Sequence, residues 1–181
     1  MARLVFFVIA MVLATSATLA FRSCTREHLE VDNMSGLVPL ADGSVLIAPD
    51  GSVAGSLVNW LRDPAAKRRR FEVGGKQFEP QATAPVPAAK VRLVRLAQML
   101  RAYPKVHVAL IGATNPGSDR EQDKQLSEAR ARATAALLVA AGVNADRLTV
   151  SGEGGEHPIY APTSSMASHN DRIVLEFDKA K

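Results

Sequence analysis

The sequence predicts an α/β two-layer sandwich, with helices packed on a mixed sheet, over the C-terminal part of its 181 residues. Two segments carry apolar residues at steps of three and four, and they alternate with short runs typical of strands. A β-α-β order of this kind favours parallel pairing of the strands on either side of a helix. With 47% hydrophobic residues, the chain is large enough for one principal packed domain.

Residues 1–21 are predicted to be a signal peptide or a retained membrane anchor. Arg3 precedes an unbroken apolar run over residues 4–13, and small residues follow through Ala20. As a helix, residues 4–21 would span about 27 Å, which is close to the thickness of a bilayer core. We therefore expect the chain to be exported, and membrane association through the N-terminus stays open.

Cys24 is the only cysteine, so no intramolecular disulfide can form. A cysteine just after an export segment can be lipidated, although Arg22 departs from the small or apolar residues that precede such cysteines. The sequence leaves cleavage, retention and lipidation as three alternatives for this N-terminus.

Residues 22–70 are interpreted as an N-terminal extension with short elements of its own. Asp42-Gly43 separates two β-prone runs and predicts a hairpin. Ser52 predicts the start of a short helix that ends at Arg62 and whose apolar face needs a partner. The basic run at residues 67–70 is interpreted as a solvated loop, with contact to an anionic lipid or wall polymer as the alternative.

The regular domain is predicted over residues 71–181. Its first strand would contain Phe71, Val73 and Phe78, with an interruption at Gly74-Gly75. An amphipathic helix should follow and stop at Pro104. Its predicted core stripe is Leu93, Leu96, Leu100 and Tyr103.

The second half of this domain should contain a strand, a helix and two further strands. The strand at residues 106–111 is apolar on both faces, as expected of a strand covered by helices. The helix should begin between Asp119 and Asp123 and end before Gly142. Its predicted apolar stripe is Leu126, Ala129, Ala133, Leu137 and Ala140. The last strands are predicted at residues 147–151 and 172–177, with Ile173, Leu175 and Phe177 on one face.

Five short motifs follow one another within this domain. They are Gly112-Ala113-Thr114-Asn115, Leu126-Ser127-Glu128-Ala129-Arg130-Ala131, Gly142-Val143, Gly152-Glu153-Gly154-Gly155-Glu156-His157-Pro158 and Asn170-Asp171-Arg172-Ile173. In this order and at these intervals they resemble the OmpA-like peptidoglycan-binding domain, whose pattern runs G-x-T-D, L-S-x-x-R-A, G-V, G-x-G-E-x-P and N-R-R-V. The resemblance implies the element order β-α-β-α-β-β, with the helices on one face of the mixed sheet.

The resemblance implies non-catalytic binding of the peptidoglycan stem peptide, which would tether an envelope protein to the bacterial cell wall. The ligand would be diaminopimelate, whose exposed end carries an ammonium and a carboxylate on one carbon. Arg130 stands at the position of the family's arginine, and a guanidinium at the start of a helix suits the carboxylate. A salt bridge to Glu128 or another acid is the alternative role for Arg130. Arg172 would help to frame the site.

The chain departs from the family pattern at two positions of this expected site. Asn115 follows Thr114 where the family has an aspartate, and the lost charge should weaken binding by about 1–2 kcal/mol. Asp171 replaces the first arginine of N-R-R-V. An acid can return to the site from Asp123, for which helix capping is the alternative. The predicted ligand-binding residues are Thr114, Asn115, Asp123, Arg130 and Arg172.

Other functions are weighed against wall binding. Asn115 and Asp171 are the basis for a degenerate OmpA-like module that binds an envelope protein instead. A cell-wall enzyme would have Glu153, Glu156 and nearby histidines to use, but no metal, nucleotide or catalytic motif is present, so neither activity nor a cofactor is expected. A 5% aromatic content and a net charge of +4 give no support for nucleic-acid binding.

We expect the protein in the cell envelope, in the periplasm, at the outer membrane or associated with a membrane.

Overall fold

The computed structural model describes residues 36–49 and 51–179. The predicted export segment, Cys24 and the first part of the predicted extension, through residue 35, lie outside the described residues. Within the described ranges, no helix combines the length and the apolar character needed to cross a bilayer.

The first described element is an antiparallel hairpin at the predicted turn. Its strands are β1 (Leu37–Pro39) and β2 (Val45–Ile47). The Asp42 carboxylate accepts hydrogen bonds from the side-chain hydroxyl and the backbone N–H of Ser44. These bonds favour the charged form and lower the pKa of Asp42. The predicted hairpin is confirmed.

Helix α1 (Val53–Arg62) supplies an apolar face to the core of the sheet. The side chain of Ser52 caps its N-terminus, as predicted. At its other end, Lys179 Nζ donates to the carbonyl of Trp60 at 2.7 Å, and the Trp60 ring lies 5.8 Å from that of Phe177. The partner that this helix needed is therefore the last strand. The domain boundary expected at residue 70 stays a prediction.

The main sheet has four strands in the order β3-β6-β4-β5. They are β3 (Arg69–Glu72), β4 (Val106–Ala113), β5 (Leu148–Gly154) and β6 (Arg172–Lys179). Strands β4 and β5 pair in parallel, while β6 runs antiparallel to both β3 and β4. The expected parallel pairing across the first β-α-β unit is wrong, because the highly buried β6 lies between β3 and β4. The fold class of helices on a mixed sheet is confirmed.

Strand β3 begins earlier than expected, inside the basic run. Phe71 is buried, whereas the Arg70 side chain is exposed and forms an ion pair with Glu176 of β6. The interpretation of residues 67–70 as a solvated loop is therefore wrong for Arg69 and Arg70. The strand stops before Gly74, and Phe78 forms only an isolated bridge with Pro85 rather than continuing it.

Helix α2 (Pro87–Ala102) buries the predicted leucines, and Tyr103 caps its end. Strand β4 buries Val106, Val108 and Leu110 on the side of the helices. On the opposite side, His107 is exposed and Ala109 and Ile111 are only partly buried. The expectation that both faces of this strand are covered is wrong, because the helices lie on one face of the sheet.

Helix α3 (Arg120–Ala140) buries a different stripe from the one predicted. Asp119 caps it through its carboxylate. The buried stripe is shifted by one residue toward the C-terminus relative to the expected stripe. Its residues are Ser127, Arg130, Ala131, Thr134, Ala135 and Leu138. Polar side chains occupy this face because their hydrogen bonds are satisfied locally: Thr134 Oγ1 donates to the carbonyl of Arg130 at 2.9 Å, and Ser127 Oγ donates to the carbonyl of Lys124 at 2.8 Å.

Two glycines allow α3 to lie directly against the sheet. A Cβ atom added at Gly112 of β4 would lie 1.9 Å from the carbonyl oxygen of Ser127, and one added at Gly152 of β5 would lie 2.4 Å from Ser127 Oγ. The backbone of α3 therefore packs on the strands at a distance that only glycine permits. This contact fixes the height of the helix above the sheet.

We expect Gly112→Ala to lower the free energy of unfolding by about 3 kcal/mol, because α3 must move away from β4 to accept the methyl group. Gly51→Asn is the matched control, since a Cβ atom at Gly51 meets nothing within 4 Å and asparagine tolerates its φ of +73°. Urea denaturation followed by circular dichroism measures both variants. Equal stabilities of the two variants would contradict the close helix-sheet contact.

Candidate functional site

Arg130 lies at the centre of the predicted site, but it is enclosed. Its side chain is 0% exposed. Its Nε donates to the carbonyl of Ala82 at 2.8 Å and its Nη2 to the carbonyl of Glu79 at 3.3 Å, while the Phe78 ring centroid lies 4.8 Å from the guanidinium carbon. The loop before α2 therefore covers the guanidinium from outside.

Two sequence-based expectations about Arg130 need correction. The arginine was expected in the first turn of a helix, but α3 begins at Arg120 and Arg130 is in its third turn. The sequence also predicts that Arg130 is presented to a ligand, whereas its side chain is enclosed. The alternative role, a salt bridge to Glu128 or another acid, is met inside the protein by Asp171 and not by Glu128, which pairs with Arg132. Because the helix begins ten residues earlier, the exposed N–H groups of its N-terminus do not act at Arg130.

Asp171 is the charge partner of Arg130. Its Oδ1 accepts a hydrogen bond from Arg130 Nη1 at 2.5 Å and a second from the backbone N–H of Asn115 at 3.2 Å. The Asp171 side chain is 15% exposed, so it lies at the boundary between the buried arginine and solvent. Asp171, in the last of the five motifs, therefore gives the buried guanidinium its counter-ion.

Strand pairing brings Asn115 and Asp171 together. Strands β4 and β6 are antiparallel, with Ala113 opposite Arg172. Asn115, two residues after the end of β4, therefore lies beside Asp171, the residue just before β6. The Asn115 side chain accepts from Asn170 Nδ2 at 2.8 Å and donates to the carbonyl of Pro162 at 3.3 Å. We call the set Asn115, Arg130, Asn170 and Asp171 the polar cluster.

Thr114 is buried beside this cluster. Its backbone N–H donates to the carbonyl of Gly154 at 2.9 Å, which joins the end of β4 to the end of β5. Its hydroxyl oxygen accepts and donates no hydrogen bond to any of the described residues, although it is shielded from solvent. The Thr114 hydroxyl is therefore a buried polar group next to Asn115 that forms no hydrogen bond with the described residues.

The other two predicted site residues are placed differently: Arg172 contacts the polar cluster, because its Nη1 donates to the carbonyl of Asn170 at 3.3 Å, whereas Asp123 lies apart from it. Arg172 is buried and donates to Glu72 Oε1 at 3.2 Å and to the carbonyl of His157 at 3.0 Å, so it ties the end of β3 and the loop after β5 to β6. Asp123 does not cap α3; its carboxylate accepts from the backbone N–H of Gly117 at 2.7 Å. The structure therefore does not bring Asp123 to the position that the family aspartate would occupy at residue 115.

A cavity of about 760 Å³ lies beside the N-terminus of α3. Asp123 and Lys124 line it from the helix, and Glu153 of β5 and Glu156 of the following loop line it from the other side. Glu156 pairs with Arg120 at 3.2 Å across its exposed rim. Neither Asn115 nor Arg130 borders this space.

The acids and histidines considered for catalysis are held by other contacts. Glu153 pairs with Arg70 at 3.4 Å, and the His169 ring packs against Tyr160 with the centroids 5.7 Å apart. In the part of the chain that the structure describes, no group of three or more metal-binding side chains is placed to hold an ion.

Comparison with known proteins identifies the fold around this cluster. A model of the OmpA family matches residues 77–172, which is more than half of the chain and includes every residue of the polar cluster. The chain belongs to the OmpA family. The resemblance inferred from the five motifs is thereby confirmed.

Relatives of this OmpA-family chain include a curated protein and several solved domains. Probable lipoprotein YiaD of Escherichia coli is 30% identical over 97 residues, which is 54% of this chain and 44% of YiaD. The similarity thus spans less than half of that relative. The peptidoglycan-associated lipoprotein of Burkholderia pseudomallei is 20% identical with a TM-score of 0.54, over 66% of this chain and 99% of that chain. The C-terminal domain of MotB from Helicobacter pylori is 25% identical with a TM-score of 0.52, over 58% of this chain and 84% of that chain.

Sequence reasoning missed the residues that enclose the arginine. The contacts from Glu79 and Ala82 use backbone carbonyls, so no side-chain pattern marks them. Asp171 was noted only as a departure from the family pattern, yet it is the residue that pairs with Arg130. The signal that could have found it is the simultaneous loss of an acid at Asn115 and gain of an acid at Asp171.

We expect Arg130→Met to lower the free energy of unfolding by about 3 kcal/mol, because it removes the counter-charge of the Asp171 carboxylate and the donor of two loop carbonyls. Arg132→Met is the matched control, since its side chain is 70% exposed and its ion pair with Glu128 lies on the surface. That control should change stability by less than about 0.5 kcal/mol. Urea denaturation measures the free energy of unfolding of both variants. Equal losses of stability would contradict a stabilising role for the buried contacts of Arg130.

Proposed function

We propose that this OmpA-family domain binds the peptidoglycan stem peptide, through its diaminopimelate residue, and so tethers an envelope protein to the cell wall. The observation that carries the proposal is the polar cluster, in which Asn115, Arg130 and Asp171 occupy three positions of the family's motifs and are joined by hydrogen bonds. Family membership over residues 77–172 and the structural similarity to a peptidoglycan-associated lipoprotein support it.

The chemistry of the ligand matches the charges of the cluster. The exposed end of diaminopimelate carries one ammonium and one carboxylate, and Asp171 and Arg130 form an acid-base pair of the complementary kind. The Asn115 amide already bonds Asn170 and the carbonyl of Pro162, so it contributes no charge and only a shared acceptor. We therefore propose binding that is weaker than an aspartate at position 115 would give.

The remaining predicted residues keep supporting roles in this proposal. Thr114 places beside Asn115 a hydroxyl that bonds none of the described residues, Arg172 frames the end of β6, and Asp123 borders the adjacent cavity. Direct contact between a ligand carboxylate and Arg130 requires the loop at residues 79–82 to move outward. We also propose that the protein acts in the envelope after export and that it has no enzymatic activity.

A second candidate function is a protein-protein interaction module within an envelope complex. The observation that favours it is the enclosure of Arg130, whose side chain is 0% exposed beneath the loop that carries Glu79 and Ala82. While that loop is closed, the cluster offers a wall ligand no guanidinium for its carboxylate, and a site with only Asp171 to offer is weaker than one that binds both charges.

Co-sedimentation of the full chain with purified sacculi tests the proposal. We expect the wild-type protein to pellet with sacculi and to be released by millimolar free diaminopimelate, because the free amino acid occupies the same site. Arg132→Ala should pellet like the wild type, since Arg132 lies on the surface of α3 and outside the polar cluster.

Two results would contradict wall binding by this site. A wild-type protein that stays in the supernatant would favour the interaction module. A protein that pellets but is not displaced by free diaminopimelate would show adhesion of a basic chain, with a pI near 9.5, to an anionic polymer.

A further inference from the structure

We propose that the ligand-facing acid of this OmpA-family site has moved from position 115 to position 171. In this proposal, which rests on the proposed function, the Asp171 carboxylate contacts the ligand ammonium and Arg130 acts as a positioning residue behind it. The site therefore selects its ligand first by a primary ammonium group. Four features of the polar cluster support this relocation.

The first feature is the difference in exposure within the ion pair. The Asp171 side chain is 15% exposed and the Arg130 side chain is 0% exposed. A ligand that approaches from solvent therefore meets the negative member of the pair and not the positive one. The site therefore presents a negative charge to solvent, whereas the arginine in the motif alone suggests a positive one.

The second feature is the way in which the carboxylate is held. Arg130 Nη1 and the backbone N–H of Asn115 both donate to Oδ1 of Asp171. Oδ2 accepts no hydrogen bond from any residue in the described ranges, so it is available to a ligand donor. A carboxylate fixed through one oxygen and free at the other is preorganised, because the entropy of orienting it is lost on folding rather than on binding.

The third feature is the coupling between the two substitutions. The Asn115 side chain donates to the carbonyl of Pro162 at 3.3 Å, and its backbone N–H lies against the Asp171 carboxylate. An aspartate at 115 would face that carbonyl without a donor and would place a second negative charge beside Asp171. An asparagine at position 115 is thus the residue that an acid at position 171 favours.

The fourth feature is the role left to the arginine. Its Nε and Nη2 bond loop carbonyls, and the Phe78 ring covers one face of the guanidinium. These contacts fix the guanidinium in the protein interior, where an ion pair is weakly screened. Arg130 thereby holds the Asp171 carboxylate in one orientation without touching the ligand.

Sacculus binding of three forms of the full chain tests this relocation. We expect Asp171→Asn to weaken the apparent affinity about tenfold or more, because the ammonium loses its carboxylate. The double variant Asn115→Asp/Asp171→Asn returns an acid to the family position and should restore binding to at least the wild-type affinity. Thermal melting of each form confirms that it is folded.

The outcomes separate this inference from the proposed function. If the wild type and a folded Asp171→Asn variant pellet equally, the relocation is overturned while wall binding stands. If the double variant binds no better than Asp171→Asn, the acid at position 171 is not exchangeable with one at 115, and the relocation is also overturned. If the wild type does not pellet at all, the proposed function fails and this inference fails with it.

A comparison of two free ligands on the wild-type protein tests the relocation even if Asp171→Asn does not fold. Diaminopimelate and pimelate share their carbon chain and both carboxylates, but pimelate has no ammonium groups. We expect diaminopimelate to displace the wild-type protein from sacculi and pimelate to have no effect at the same concentration. Equal displacement by the two compounds would overturn selection by the ammonium.

Discussion

The buried ion pair between Arg130 and Asp171 is the interaction on which this end of the molecule depends. The arginine comes from the third turn of α3, the aspartate precedes β6, and the other two acceptors are carbonyls of Glu79 and Ala82 in the loop before α2. An arginine that is buried without a partner costs several kcal/mol. Three segments that are far apart in the sequence are therefore held in one arrangement by a single guanidinium.

The close packing of α3 on the sheet makes this arrangement possible. Gly112 and Gly152 let the backbone near Ser127 approach β4 and β5, and three residues later the same face of the helix carries Arg130 inward. The binding function proposed for the domain depends on where this packing places the charges of Arg130 and Asp171. Because the positive charge is held inside, the partly exposed Asp171 becomes the charged group that meets solvent.

The elements of this fold could be predicted from the sequence, because apolar periodicity and capping residues are local signals. The hairpin, the Ser52 cap and the leucine stripe of α2 followed from them. The insertion of β6 between β3 and β4 could not be predicted, since it depends on pairing between residues about 60 to 110 positions apart. The buried stripe of α3 was missed because it is partly polar and its hydrogen bonds appear only in three dimensions. For the same reason the motif identified Arg130 but not its enclosure.

An NMR titration of the uniformly ¹⁵N-labelled protein with a diaminopimelate-containing stem peptide tests the central claim most directly. The backbone N–H of Asn115 donates to the Asp171 carboxylate, so its amide signal reports any change at that carboxylate. The account predicts a saturable shift of this signal, with the β1-β2 hairpin unaffected. Shifts confined to the cavity beside the start of α3, or no saturable shift at Asn115, would contradict it.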